Sequence, residues 1–157
     1  MRIAIIYDSV FGNTEQVAQK LAAAAAGHEV ILRKVSSATA ADIAGAGLVL
    51  VGSPTRAFRP TPAISAWLKA LPARSLSGIR VAAFDTRADV VTVNNRFLTF
   101  MVRFFGYAAE KIARALAARG GVPACPPQWF YVNASEGPLR EGELDRAAAW
   151  AATLVQP

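Results

Sequence analysis

Three short stretches of the chain are almost continuously apolar: IAIIY at 3–7, LVLVG at 48–52 and IRVAAF at 79–84. Short runs without polar alternation are typical of parallel strands that helices cover on both faces. Two further apolar runs, at 30–35 and 129–133, complete a set of five predicted strands. The sequence therefore favours an α/β fold with a central parallel sheet.

Helical patterns lie between and after the predicted strands. They span residues 14–26, 38–44, 61–71, 106–119 and 141–154. Strands that alternate with helices form βαβ units with right-handed crossovers. The pattern predicts a three-layer, doubly wound, five-stranded parallel sheet. Because the chain has no internal repeat, linker or composition break, we expect residues 1–157 to form a single domain.

Composition excludes several classes of function. No apolar stretch reaches the roughly 18–20 residues that cross a bilayer, and the N-terminal apolar run is too short for a signal peptide. The single cysteine, Cys125, excludes an internal disulfide and a CxxC metal site. The single histidine, His28, leaves no histidine-rich metal site, and its place before the second predicted strand, at the end of the sheet away from the ligand loops, disfavours a Ser-His-Asp triad. These features predict a reduced, cytoplasmic protein.

The net charge of +6 favours an anionic partner. An acidic protein, a phosphorylated ligand, an anionic membrane surface and a nucleic acid all meet that description. The chain contains no run of Lys and Arg and no basic repeat interleaved with aromatic residues. We therefore expect no nucleic-acid binding.

Ligands of doubly wound sheets bind beyond the carboxyl ends of the strands, where the strand order reverses. The loops at these positions read DSVFGN, SPTRAFRP and DTRADVV. The first concentrates Ser9, Gly12, Asn13 and Thr14 where a helix begins, and helix N-termini bind phosphate through free N–H groups and the helix dipole. The alternative is an ordinary helix cap by Asn13 or Thr14, which explains one of these residues.

The phosphate prediction is narrow because two common nucleotide motifs are missing. The chain has no GxxxxGK[ST] motif, and no GxGxxG follows a predicted strand. A single phosphate is therefore favoured over a triphosphate or a dinucleotide.

The three loops resemble those of the flavodoxin family in their order and composition. The segment Ser9-Val10-Phe11-Gly12-Asn13-Thr14 resembles the loop that holds the phosphate of FMN, and 52–60 resembles the stretch beside the flavin ring. Residues 84–87 occupy the place of the loop on the other side of the ring, and Phe105-Gly106 resembles the start of the next helix. The resemblance covers essentially the whole chain and implies strand order 2-1-3-4-5 and FMN as the cofactor.

The resemblance also implies a set of cofactor-binding residues. These are Ser9, Val10, Phe11, Gly12, Asn13, Thr14, Pro54, Thr55, Arg56, Ala57, Phe58, Asp85, Thr86 and Arg87. Two of them depart from the family pattern, because Phe11 replaces a hydroxyl residue and Arg56 replaces a tyrosine. Phe58 is the candidate to stack on one face of the ring, with Arg56 or Arg87 on the other. Asp85 is the candidate for a contact with the ring N3–H.

The two loops expected beside the flavin ring, 52–60 and 84–87, are called the ring loops below. Their arginines bear on the reduction potential of the flavin. Positive charge from Arg56, Arg59 and Arg87 would stabilise the anion that forms when the flavin is reduced, and would make the potential less negative. The alternative is that these side chains point into solvent, where screening leaves little effect.

A longer segment than the fold needs, residues 89–105, follows the third loop. Its apolar residues fall at Val90, Val93, Phe97, Met101 and Phe104, which predicts an amphipathic helix with arginines on the polar side. Three alternatives remain open. The helix packs on its own domain, forms a homodimer interface, or covers a lipophilic substrate or a membrane surface, as in menaquinone-dependent oxidases of the same fold.

The resemblance implies an FMN-binding redox protein that carries electrons between protein partners. The arginines of the predicted site favour an acidic redox protein, NAD(P)H or a quinone as the partner. The alternative is an enzyme, an FMN-dependent NAD(P)H/quinone oxidoreductase that uses the 89–105 segment. A third possibility is a binding module that kept the fold and lost the flavin.

Overall fold

The computed structural model describes residues 1–90 and 95–156. The strands are β1 (Arg2–Tyr7), β2 (Glu29–Lys34), β3 (Leu48–Pro54), β4 (Arg80–Ala88), β5 (Val122–Pro123) and β6 (Gln128–Val132). The helices in these residues are α1 (Asn13–Ala24), α2 (Ala40–Ile43), α3 (Pro62–Ala70), α4 (Arg96–Phe105), α5 (Ala108–Ala118) and α6 (Glu143–Val155), and a 3₁₀ turn covers Val35–Ser37.

All strands pair in parallel, in the order β2-β1-β3-β4 with β5 and β6 both beside β4. This confirms the predicted strand order 2-1-3-4-5. The fifth position is divided into two segments, whereas the sequence predicted one strand at 129–133. The segment between β5 and β6 contains Pro126 and Pro127, whose missing N–H groups cannot join the ladder.

The sheet has a separate hydrophobic core on each face. In β1, Ile3 and Ile5 pack with α1 and α6, whereas Ala4 and Ile6 pack with α3 and α5. Both sets are almost fully buried, which explains why the central strands are continuously apolar. Gly52 at the end of β3 permits close packing, because a Cβ there would lie 2.1 Å from the Phe84 ring.

The aromatic face of α4 is directed away from the domain. Phe97, Phe100 and Phe104 are 71%, 61% and 75% exposed, and no residue of the helix is buried. Among the three alternatives for this helix, packing on its own domain does not account for Phe97, Phe100 and Phe104, whereas Phe105 does stack on Phe58 of the same domain. Part of the predicted 89–105 helix, residues 91–94 with Val93, lies outside the described residues.

Two negative findings apply to the described residues. No helix among them is both long enough and apolar enough to span a bilayer. Their His, Cys, Asp and Glu side chains form no group that could hold a metal ion.

Candidate functional site

The first loop, residues 9–14, joins β1 to α1. Gly12 is the N-cap of α1 with φ +90°, a conformation that favours glycine. The Ser9 Oγ accepts hydrogen bonds from the N–H groups of Gly12 at 3.1 Å and Glu15 at 3.2 Å. The side-chain oxygen that caps the first turn of α1 therefore belongs to Ser9. The alternative prediction, in which Asn13 or Thr14 caps the helix, is wrong.

Asn13 and Thr14 instead connect the first loop to two other segments. The Thr14 and Thr86 hydroxyls are 2.8 Å apart in a buried hydrogen bond to β4. The Asn13 Nδ2 donates to the Glu136 carbonyl at 3.0 Å. A Cβ on Gly137 would lie 2.6 Å from the Asn13 amide, so only glycine fits there without a shift. The first loop is thus held from both sides.

The loop after β6, residues 133–138, is a part of the site that the sequence analysis missed. Ser135 lines the same cavity as the first loop. A sequence signal was present, because a polar segment with Gly137-Pro138 follows the last strand at the carboxyl edge of the sheet, where ligands bind.

A small cavity of about 50 Å³ lies against the first loop. Its lining includes Ser9, Thr14, Thr86 and Arg87 and contains no acidic side chain. Hydrogen bonds among the described residues leave four N–H groups of this loop without an acceptor: those of Val10, Phe11, Asn13 and Thr14. Free N–H groups at a helix N-terminus, next to an acid-free cavity, fit a phosphate group.

The second loop, between β3 and α3, contains a strained two-residue turn. Arg56 and Arg59 exchange two backbone hydrogen bonds of 2.9 Å. The residues between them, Ala57 at φ +46° and Phe58 at φ +65°, adopt the left-handed conformation that side chains disfavour by roughly 1–2 kcal/mol. The Lys111 Nζ donates to the Phe58 carbonyl and helps to hold this turn. A strained turn with this support presents Phe58 at a fixed place.

The two residues that depart from the family pattern lie together. The Arg56 guanidinium is 5.6 Å from the centre of the Phe11 ring, in a cation–π contact. Both side chains are exposed. The first and second loops therefore meet through these two substitutions at the surface of the site.

Arg87 on β4 is almost fully buried and forms a two-point ion pair with Asp85. The Arg87 Nε and Nη2 lie 2.7 Å and 2.6 Å from the two oxygens of the Asp85 carboxylate. The guanidinium also lies 3.5 Å from the centre of the Tyr107 ring and 5.1 Å from that of Trp129. Trp129 was not among the predicted site residues.

This arrangement commits both residues to contacts within the protein. Asp85 is 0% exposed and also accepts the Ala109 N–H at 2.9 Å. Burial raises the pKa of Asp85, against the opposing effect of the Arg87 guanidinium. The contact of Asp85 with a ring N3–H and the stacking of Arg87 on a ring stay predictions, and the observed pairing supplies other partners for both side chains.

A second cavity, of about 190 Å³, lies between the ring loops and α4. Thr55, Ala57, Phe58 and Arg87 line it from the predicted site. Leu98 and Val102 line it from α4, on the side of the helix opposite the exposed phenylalanines. Phe58 also stacks on Phe105, with ring centres 5.7 Å apart. The inner side of α4 thus covers the place where the two ring loops meet.

The structure brings most of the predicted site residues to this edge of the sheet. Those that line one of the two cavities are Ser9, Val10, Phe11, Asn13, Thr14, Pro54, Thr55, Ala57, Phe58, Thr86 and Arg87. Gly12 is within the first loop, Arg56 contacts Phe11, and Asp85 is buried beneath the site.

The sequence matches no protein-family model and no curated protein. Many solved structures do match. An archaeal flavodoxin superposes with a TM-score of 0.76 at 16% identity, covering 98% of this chain and 96% of its own. Oxidised flavodoxin 1 from Bacillus cereus gives 0.74 at 14% identity, covering 99% and 97%.

The chain has a flavodoxin-like fold. Two-electron reduced Megasphaera elsdenii flavodoxin gives a TM-score of 0.67 at 22% identity, covering 96% of this chain and 98% of its own. The sequence-based resemblance to flavodoxins is thus confirmed at the level of the flavodoxin-like fold.

Proposed function

We propose that this flavodoxin-like protein binds FMN and carries electrons between protein partners. The observation that supports this most directly is the first loop, whose four unpaired N–H groups adjoin an acid-free cavity. The second cavity lies on the other side of Arg87, which lines both. A phosphate site beside a site for a flat ring is what FMN requires, and the solved flavodoxins share the fold.

Each part of the site has a distinct role in this proposal. The N–H groups of the first loop and the Ser9 and Thr14 hydroxyls would hold the phosphate. Phe58 and the second loop would position the ring, and Leu98 and Val102 of α4 would exclude water from it. FMN, when bound, supplies the ability to take up and release electrons. No side chain of the chain needs to react.

The test is a comparison of FMN with riboflavin, which has the same ring and no phosphate. We expect quenching of FMN fluorescence on binding, and an affinity about 100-fold higher for FMN because charge-assisted hydrogen bonds to the phosphate contribute several kcal/mol. Equal affinities would remove the phosphate role of the first loop. No binding of either compound would contradict the proposal.

The partner follows from the charge at the site. Arg56 and Arg59 are exposed beside the ring loops, so an acidic redox protein is the proposed partner. Because exposed charges are screened, we expect the rate of electron transfer to such a partner to fall as the salt concentration rises. A rate that does not depend on salt would contradict this pairing.

A second candidate function is favoured by α4. Its exposed phenylalanines lie on the opposite side from the residues that cover the second cavity. An FMN-dependent NAD(P)H/quinone oxidoreductase would use such a helix to approach a lipophilic substrate or a membrane surface.

Two assays distinguish this enzyme from an electron carrier. The enzyme predicts steady-state oxidation of NAD(P)H by the FMN-loaded protein when a quinone is added, and binding to anionic phospholipid vesicles. Both effects should decrease in a variant with Phe97→Ser, Phe100→Ser and Phe104→Ser. No oxidation and no vesicle binding at low salt would leave the electron carrier as the better proposal.

A further inference from the structure

A cleft of about 580 Å³ separates α3 from α5 on the outer face of the helix layer. Its volume exceeds that of both cavities described above and falls within the range of small-molecule sites, about 300–1,000 Å³. Its lining begins at Arg59 and Pro60 in the second loop and continues on α3 at Ser65, Leu68 and Lys69. On α5 it extends from Lys111 to Ala118, about 10 Å at 1.5 Å per helical residue, which is enough for an elongated ligand.

The charged side chains that line the cleft are all cationic. They are Arg59, Lys69, Lys111 and Arg119, and no acidic residue lines it. The ion pairs found among the described residues use other arginines, so none of these four has a carboxylate partner there. A single-sign cleft between low-dielectric walls concentrates anions.

Lys111 is partly desolvated and is repelled by the neighbouring charge of Arg59. Its pKa is lowered from 10.5, first by burial and then by the charges of Arg59 and Arg114, while Glu110 acts in the opposite direction. The Lys111 Nζ is already oriented by the Phe58 carbonyl. A bound anion would remove the unfavourable interaction among these cations, because opposite charge nearby stabilises the charged form of lysine.

The floor of the cleft between the cations is apolar. Pro60, Leu68, Ala115 and Ala118 contribute to it. The Arg119 side chain at one end is fixed in place, because its Nε and Nη2 donate to the Leu68 and Lys69 carbonyls at 3.3 Å and 3.0 Å. This arrangement combines a surface for a flat apolar group with cations for phosphate.

We propose that the cleft between α3 and α5 binds a nucleotide-sized phosphate ester. Inorganic phosphate alone would leave the apolar floor unused, and an uncharged ring would leave the cations unpaired. The ligand would lie beside the second loop, because Arg59 belongs to that loop and Lys111 contacts Phe58. The site is separate from the cavity of the first loop and does not depend on FMN binding there.

The experiment is a calorimetric titration of the full chain with ADP at constant low ionic strength. We expect saturable binding that Lys69→Gln and Arg59→Gln each weaken about 5- to 10-fold, the effect of losing one charge-assisted contact. Lys20→Gln is the matched control, since it removes the same charge from α1 on the other face of the sheet and should change the affinity less than about twofold. FMN affinity should be the same in the wild type, Lys69→Gln and Lys20→Gln, whose side chains lie outside the two cavities proposed for FMN.

Several results would overturn the proposal. The proposal is overturned if ADP does not bind at millimolar concentration. It is also overturned if Lys20→Gln weakens ADP binding as much as Lys69→Gln does. Inorganic phosphate that binds as tightly as ADP would reduce the cleft to a general anion site. Binding of a polyglutamate peptide, sensitive to Lys69→Gln, without binding of ADP would assign the cleft to an acidic protein segment instead.

Discussion

The first loop and α4 lie at the same edge of the sheet and are built in opposite ways. Asn13 and Thr14 of the first loop are buried and hydrogen-bonded to segments far away in the sequence. Helix α4 has no buried residue and exposes three phenylalanines, and its cap comes from its own neighbour, Asn95, whose Oδ1 accepts the Leu98 N–H at 3.1 Å. Contacts with distant parts of the domain hold the first loop in place, whereas α4 contacts the domain along one side only.

This difference indicates that the site is pre-organised at the first loop and less so at α4. The first loop and the buried Asp85–Arg87 ion pair depend on contacts with other parts of the domain. The cover over the second cavity depends on Leu98, Val102 and the Phe58–Phe105 stack. Substitutions in the first region should therefore change stability, whereas those in α4 should change access to the site.

The largest expected effect is that of Asp85→Ala. This variant removes the two-point partner of the buried Arg87 and leaves only the half-exposed Glu110, 3.9 Å away, which costs about 3–5 kcal/mol of the free energy of unfolding. The matched change in α4, Phe100→Ser, should cost less than about 0.5 kcal/mol because that side chain is exposed. Urea unfolding measures both, and equal losses would contradict the contrast.

A second prediction concerns pH. Burial, the hydrogen bond to Glu15, and the charges of Glu15 and Asp8 raise the pKa of Tyr7 from 10.0 to about 12. Between these values the unfolded chain releases the proton while the folded protein keeps it, so stability falls as pH rises from 10 to 12. The loss approaches about 2–3 kcal/mol near pH 12.

The comparison variant for this pH effect is Tyr7→Phe, which has no phenol to ionise. Urea unfolding below pH 10 and near pH 12 should show the wild type losing the larger amount. Equal losses in both proteins would indicate that other groups titrate in this range and that the phenol of Tyr7 does not contribute.

Two threonines give a matched pair with a smaller effect. Thr14→Val removes a buried hydrogen bond to Thr86 and should cost about 1–2 kcal/mol. Thr99→Val removes the exposed bond from the Thr99 Oγ1 to the Asn95 carbonyl in α4 and should cost less than about 0.5 kcal/mol. Thr14→Val should also weaken FMN binding, whereas Thr99→Val should not. The reverse order of effects would refute the assignment of a rigid first loop.

The smallest expected effect is on the reduction potential of bound FMN. Arg87 is neutralised by Asp85, so Arg56 is the cation most able to influence the ring. In a medium of effective dielectric constant about 40–80, one exposed unit charge near a redox group changes its potential by about 20–50 mV. Arg56→Gln should make the potential more negative by that amount in a dye-equilibration titration, and no change would indicate complete screening by solvent.

The sequence was sufficient to predict the parallel sheet except for the divided fifth strand, and it identified the first loop as a place to expect a ligand. The runs at β1, β3 and β4 are continuously apolar because both faces of the sheet are covered, so burial itself left a readable pattern. The first loop was readable because four small or polar residues exceed what one cap needs. Both signals are visible in short stretches of sequence, although the contacts that hold the first loop come from distant residues, Thr86 and Glu136.

The contacts around Arg87 were not readable in this way. Tyr107 and Trp129 reach the guanidinium from α5 and β6, and their spacing along the chain carries no sign of that meeting. In α4 the spacing of apolar residues predicted an apolar stripe, but it did not indicate whether that stripe faces the domain or the solvent. The residues of α4 that line the second cavity are Leu98 and Val102. Each follows directly after a residue of the predicted stripe, Phe97 or Met101.

The divided fifth strand also determines how copies of this chain can associate. An open sheet edge normally offers unpaired N–H and C=O groups to which another strand can add. Here the edge beyond β4 consists of two residues of β5, a proline-containing break and five residues of β6. No continuous edge remains for a second chain to extend, so strand exchange and fibre-like growth are disfavoured at this edge, and contacts there would form through helix faces and loops.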